Sequence, residues 1–168
     1  HLEKSLKDLK VDAPDKLDIV METNGGEDHS TVAQYLQNQW KTHLGIDVKI
    51  NLVEWNIHYD NLQNLNFKLG RIANPALYKD ATSFLNPFVE KDNIYNMTGW
   101  HNSDYTQLVK QAESEPDMDK RLELLQESHV LLLEEMPFVP VYFYGRDYVV
   151  NDSFTDLKPL PIGGVNLK

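Results

Sequence analysis

The chain contains no cysteine, which excludes disulfides, thiolate metal ligands and a thiol nucleophile together. Long apolar runs are missing too. Val130 to Leu133 is as long as they get, against the roughly 18 consecutive residues that a membrane-spanning helix needs. Positive charge is scarce and scattered: 16 Lys and Arg stand against 26 Asp and Glu, for a formal net charge of −10. No stretch gathers basic residues into a stripe able to displace counterions, so nucleic acid is not expected as a partner, nor is an anionic membrane surface. The histidines at 29, 43, 58, 101 and 129 show neither HxH nor HExxH spacing, and no metal site is expected. Gly25-Gly26 lacks the Lys-Ser/Thr of a phosphate loop, and no GxSxG elbow occurs. With paired acids such as Asp117/Asp119 and Glu134/Glu135 read as solvated helix faces, no catalytic residue and no cofactor are expected, and the chain is not read as an enzyme.

What is present is an ordinary globular composition, 41% apolar and 25% charged over 168 residues, about one domain by length. The opening His1-Leu2-Glu3-Lys4 begins in a helix-like pattern without a signal-peptide profile. The expectation is a cytosolic protein or one whose start has been removed.

Leu2, Leu6 and Leu9 are spaced for a short helix ended by Pro14, and Leu17 to Met21 reads as a strand before the turn Thr23-Asn24-Gly25-Gly26. Val32, Ala33, Leu36, Trp40 and Leu44 recur every three to four residues, predicting a helix over 28–44 stopped at Gly45. Ile46, Val48, Ile50 and Leu52 alternate in a strand ending near Glu54-Trp55. Strand, helix and strand within about 40 residues suggest a right-handed βαβ unit with parallel pairing. A helix over 57–65 and a third strand over 67–72 follow. The stretch 73–100, rich in Asn, Pro, Asp and Thr, reads as a binding loop. Ser103 is placed as the N-cap of the next helix, and Asp117 or Asp119 as that of a longer one with Leu122, Leu125, Leu132 and Met136 inward, stopped by Pro137. Residues 139–150 read as two strands turning at Gly145-Arg146-Asp147. The sum is a single α/β lobe over 1–168, with a mixed sheet flanked by helices. Its first strand opens just after a helix with nothing before it, as in a piece of a larger protein.

The segment Arg71 to Asn86, RIANPALYKDATSFLN, resembles the ligand-facing strand and loop of the extracellular solute-binding proteins of family 5, the periplasmic oligopeptide-binding group. The likeness continues through Leu44-Gly45-Ile46-Asp47-Val48-Lys49-Ile50, Gly99-Trp100-His101-Asn102-Ser103, and the block from Ala112 to Tyr142 that contains Glu134-Glu135-Met136-Pro137-Phe138-Val139-Pro140. The resemblance implies the C-terminal lobe of a type II periplasmic-binding-protein-like fold, with the signal peptide, the N-terminal lobe and a final crossing strand absent. It further implies the substrate-binding component of an ABC importer, which closes two lobes on an oligopeptide or peptide-like solute and docks on a membrane permease. The location would be periplasmic or the outer face of the cell membrane, lipid-anchored or free.

Within that resemblance, Arg71 falls on an Arg facing the peptide carboxylate, a role suited to a planar guanidinium fork at the end of a strand. The bland alternative is an Arg bridging to Asp80 or Glu54. His29, at a helix start where unpaired amides favour an anion, falls on a His near the carboxylate site. Trp55, Asn74 and Tyr78 match positions lining side-chain pockets, where aromatics give broad contact, with core packing as the alternative. For Trp40 and Trp100 core packing is the better reading.

Leu77 departs from the pattern. Peptide binders of the family carry there an Asp that pairs with the ligand α-ammonium. Leaving such a buried charge unpaired costs about 3–5 kcal/mol. In affinity that is roughly 10²- to 10³-fold or more. Either Asp80 substitutes, or the other lobe supplies the acid, or the ligand lacks a free α-amine. Two rivals keep part of this picture: a relative carrying a nickel complex or haem, and a free-standing acidic protein-interaction domain.

Overall fold

The structure is a computed structural model that describes residues 1–145, 149, 151, 158, 159, 165 and 166. The chain divides into two compact units, His1–Ala73 and Asn74–Lys168.

In the first unit, α1 (Leu2–Asp8) ends at Leu9, before Pro14 is reached, and Lys10 takes a left-handed φ of 56°. Pro14 instead opens a 3-10 turn over Pro14–Lys16, where its fixed φ and missing N–H cost nothing. The strand β1 (Ile19–Asn24) is followed by α2 (Glu27–Leu44), β2 (Val48–Val53), α3 (Trp55–Gln63) and β3 (Leu69–Gly70). The sheet order is β2-β1-β3 and both pairings are parallel, with Ile19 to Asn24 beside Val48 to Val53 and Met21-Glu22 beside Leu69-Gly70. Gly45 closes α2 in the left-handed conformation, φ 70°, and its N–H returns to the Lys41 carbonyl. Glu54 caps α3 by accepting the Asn56 amide at 2.7 Å.

Side chains alternate along the central strand β1, and the two faces differ in character. Met21 joins Ala33 of α2 and Val48 of β2 in a small apolar core edged by Ile19, Trp40, Ile46, Ile50 and Leu69. Glu22 points the other way and is met by Asn51, His58 and Asn61. The third strand, expected over six residues, is a two-residue ladder. At Gly70 an added Cβ would fall 2.4 Å from the end of the Leu62 side chain, so a larger residue there requires Leu62 to shift.

In the second unit, α4 (Thr82–Leu85) and a 3-10 turn (Asn86–Phe88) interrupt the long loop. The helices α5 (Ser103–Ser114) and α6 (Met118–Glu135) pack together through Tyr105, Val109, Ala112, Leu125 and Leu132, joined by Leu85, Phe88 and Val89. Trp100 lies edge-on to Tyr105 and Phe88, while Phe138 stacks on Phe88 at 5.1 Å, so Trp100 is a packing residue, as is Trp40 in the first unit. The N-cap of α5 is Asn102 rather than Ser103: its carboxamide oxygen accepts the Asp104 and Tyr105 amides. Asp117 caps α6. Leu122 (54% exposed) and Met136 (50% exposed) are not inward, because α6 buries only the narrower stripe of Leu125, Ser128 and Leu132. Residues 139–145 carry no ladder, and the expected turn at 146–147 lies outside the described residues. A short antiparallel pair, β4 (Lys158–Pro159) with β5 (Val165–Asn166), closes the described chain.

Candidate functional site

Because the three strands of the first unit run parallel, their C-terminal ends share one edge of the sheet, and each leads into a residue singled out from sequence. From β1 the chain passes through Gly25-Gly26 into α2, whose third residue is His29. The end of β2 leads through Glu54 to Trp55 at the first position of α3. Beyond β3 stands Arg71. Parallel α/β sheets present their ligand sites at this edge, since loops and helix N-termini converge there.

Arg71 and His29 meet. An Arg71 Nη lies 2.7 Å from His29 Nδ1. A guanidinium can only donate, so Nδ1 is the acceptor and the ring's N–H is at Nε2. The side chain of Trp55 is 45% exposed and therefore not a core residue; its ring leans on Tyr59 at 5.4 Å and on His58 at 6.4 Å.

Backbone placement of Arg71 depends on groups that the sequence reading did not single out. Its N–H donates to the Glu22 carbonyl at 3.0 Å. Its own carbonyl faces His58 Nε2 at 2.8 Å. His58 is fully buried, and its Nδ1 is 3.1 Å from Glu22 Oε1. Asn61 donates to both Glu22 oxygens at 3.0 Å, and Asn51 to one of them at 3.3 Å. The available signal is weak: one acid directly after the apolar run Ile19-Val20-Met21, and His58 and Asn61 three apart on α3.

The remaining candidates lie in the second unit. Asn74 is exposed. Leu77 is 62% exposed, and its amide donates to Ser83 Oγ at 2.7 Å, which pins the loop by its backbone and leaves the apolar side chain outward. The Thr82 hydroxyl proton goes to Asp80, so the Tyr78 hydroxyl donates to Thr82 Oγ1 at 3.1 Å, and it accepts from Asn86 Nδ2 at 3.4 Å. Asp80 is engaged within this unit. Arg121 donates to its two oxygens at 2.8 and 3.0 Å, and both the amide and the hydroxyl of Thr82 donate to Oδ1. The Arg121 guanidinium first, then the Thr82 donors, hold the Asp80 carboxyl at about 2 against an ordinary 3.8. An acid bound this way secures the loop to α6. Among the described residues, no group of three or more His, Cys, Asp or Glu is placed to hold a metal ion, and no helix is long and apolar enough to cross a membrane.

Known proteins give this arrangement its context. The chain is 34% identical to the oligopeptide-binding protein OppA of Bacillus subtilis over 91% of its own length and 28% of that protein's. To the dipeptide-binding protein DppE of the same organism it is 33% identical, over 99% of this chain and 30% of that one. It therefore spans about 30% of the length of these curated relatives. The solved structure of Burkholderia pseudomallei OppA superposes with a TM-score of 0.70 and 27% identity, covering 74% of this chain and 24% of the other. The fold is the α/β type of the type II periplasmic binding proteins. The family described as bacterial extracellular solute-binding proteins, family 5 (middle), matches residues 3–96, the stretch that carries β1 to β3, His29, Trp55 and Arg71. With more than half of its residues in that match, the chain belongs to the bacterial extracellular solute-binding proteins of family 5.

Proposed function

We propose that this chain is most of the C-terminal lobe of the substrate-binding component of an ABC importer, and that it captures an oligopeptide or peptide-like solute against an N-terminal lobe. The observation that carries the reading is the meeting of Arg71 and His29, 42 positions apart in sequence, at the carboxyl edge of the parallel sheet. A guanidinium beside an imidazole with its N–H at Nε2 suits a ligand carboxylate. Trp55, exposed at the same edge, offers a broad apolar face to side chains of differing shape. The work of such a protein is capture, with the loaded form docking on a permease at the periplasmic or outer face of the membrane.

Recognition of the ligand's amino end is altered in this reading. Leu77 stands where an acid is expected, and Asp80, bound to Arg121 and Thr82, is a poor substitute. The preferred solute then lacks a free α-ammonium at that position, as in a blocked or isopeptide-linked peptide.

Calorimetric titration of the two-lobed protein with tri-alanine, N-acetyl-tri-alanine and tri-alanine amide tests both ends. Acetylation is expected to change affinity by less than about threefold, while amidation of the carboxylate is expected to weaken binding by about 10²-fold. A 10²-fold loss on acetylation would refute the altered amino end. Equal binding of acid and amide would refute the carboxylate anchor.

A further inference from the structure

The polar group beneath Arg71 is costly to build. An ion pair taken out of water seldom stabilises a fold more than apolar residues of the same volume would. Yet on this face of β1 the buried positions are Glu22 and fully buried His58, braced by Asn51 and Asn61. Stability alone does not account for them.

Their hydrogen bonds converge on one residue. The Arg71 N–H ends on the Glu22 carbonyl, and the Arg71 carbonyl ends on the His58 ring, while the Glu22 carboxylate holds the other ring nitrogen. One strand residue and one helix residue thus grip Arg71 on both sides of its Cα. β3 is only two residues long, so its pairing with β1 ends with the bond from the Arg71 N–H to the Glu22 carbonyl, and the Arg71 carbonyl is met by His58. The Arg71 carbonyl can only accept, so the ring carries a proton on Nε2, while Nδ1 is held by the Glu22 carboxyl.

We infer that His58 and Glu22 are positioning residues for Arg71: the His58 ring, oriented by the Glu22 carboxyl, donates its Nε2–H to the Arg71 carbonyl and thereby aims the guanidinium at the sheet edge. This rests on the reading of Arg71 as the ligand's carboxylate anchor. Among the described residues, Glu22 from β1, Asn51 from β2, Asn61 from α3 and His29 from α2 bear on the device, the last by meeting the Arg71 side chain.

Nuclear magnetic resonance on the two-lobed protein tests this. A scalar coupling across the hydrogen bond should link the His58 Nε2–H to the Arg71 carbonyl carbon. A ring without a proton on Nε2, or an Arg71 carbonyl without that coupling, would overturn the inference. In His58→Gln, whose side chain still donates, the Arg71 carbonyl should keep its folded shift, and in His58→Phe it should lose it; equal shifts in the two variants count against the device. N-acetyl-alanine, a carboxylate without an amine, then separates the two claims. Its effect on the Arg71 Nε–H should require about tenfold more ligand in His58→Phe than in the wild type. An unchanged titration in His58→Phe sinks the positioning role. Absence of any Arg71 response in the wild type sinks the carboxylate anchor instead, while the coupling between His58 and the Arg71 carbonyl still stands or falls by itself.

Discussion

The two units bury different kinds of matter. The first buries a few apolar residues, Met21, Ala33, Val48 and Leu62, beside a carboxylate and an imidazole. The second buries an apolar cluster of Leu85, Phe88, Val89, Tyr105, Val109, Ala112, Leu125 and Leu132, with aromatic rings in contact at 5 to 6.3 Å. Non-directional packing tolerates exchange of one apolar shape for another, whereas a hydrogen-bonded ion pair specifies direction. The unit with candidate anchors His29 and Arg71 has the directional interior. In the unit with Leu77 the buried polar residues are neutral, Thr82, Ser83, Asn96 and Ser128, and the charged contacts lie nearer the surface: Asp80 to Arg121, Asn86 to Glu113 and Lys110 to Glu90.

Large truncations should break the comparison most clearly. Tyr105→Ala empties a fully buried site and removes the hydroxyl donated to the Leu85 carbonyl at 2.7 Å, and is expected to cost about 3–5 kcal/mol in denaturant unfolding. Glu22→Ala should cost a similar amount, about 3–5 kcal/mol, by leaving His58 buried without its partner. The joint replacement Glu22→Leu with His58→Phe should recover most of that loss, because no charge is then stranded. No comparable recovery is open to Tyr105→Ala paired with a polar change. If the joint replacement is as unstable as the single one, the contrast between directional and apolar interiors is wrong.

A smaller effect sharpens the picture at the end of β3. Gly70→Ala places a methyl against the buried Leu62 side chain, and a destabilisation of about 1–3 kcal/mol is expected in thermal or denaturant melts. It should also shift the Arg71 and His58 resonances while leaving those of α5 and α6 in place. Equal stability of the two proteins would mean that Leu62 moves aside freely.

The smallest effect belongs to the loop clamp. Asp80 has a folded-state value of about 2, below its ordinary 3.8, so its contribution is present above about 4 and is lost as pH falls toward 2. Asp80→Asn should therefore reduce stability by about 1 kcal/mol near neutrality and flatten the acid limb of the stability profile. Profiles that stay parallel down to pH 2 would show that the Arg121 contact contributes nothing.

Much of the fold was legible because it is written in short range. Val32, Ala33, Leu36 and Trp40 recur at helical spacing, Gly45 permits the left-handed stop, and the alternation from Ile46 to Leu52 marks β2 within two residues of its observed start. The cap of α5 was misplaced by one residue because Asn102 and Ser103 are both good caps, and only the direction of the chain decides which side chain reaches the Asp104 amide. Six apolar-rich residues suggested a full third strand, but strand length depends on a neighbour, and β1 offers β3 only Met21 and Glu22. Leu122 and Met136 fit the helical period of α6 and still face solvent, since periodicity gives a stripe but not its width.

By itself the sequence determined the parallel α/β pattern and the kinship, and it marked Arg71 and His29 as candidates for a carboxylate and Leu77 as a departure. These follow from spacing, side-chain chemistry and local propensity, which act over a few residues. Tertiary structure decided that Arg71 meets His29 across 42 positions, that Asp80 belongs to Arg121, and that His58 and Glu22 lie under Arg71. Hydrogen bonds between distant residues depend on which strand lies beside which, and that order is set only when the sheet and its covering helices pack together.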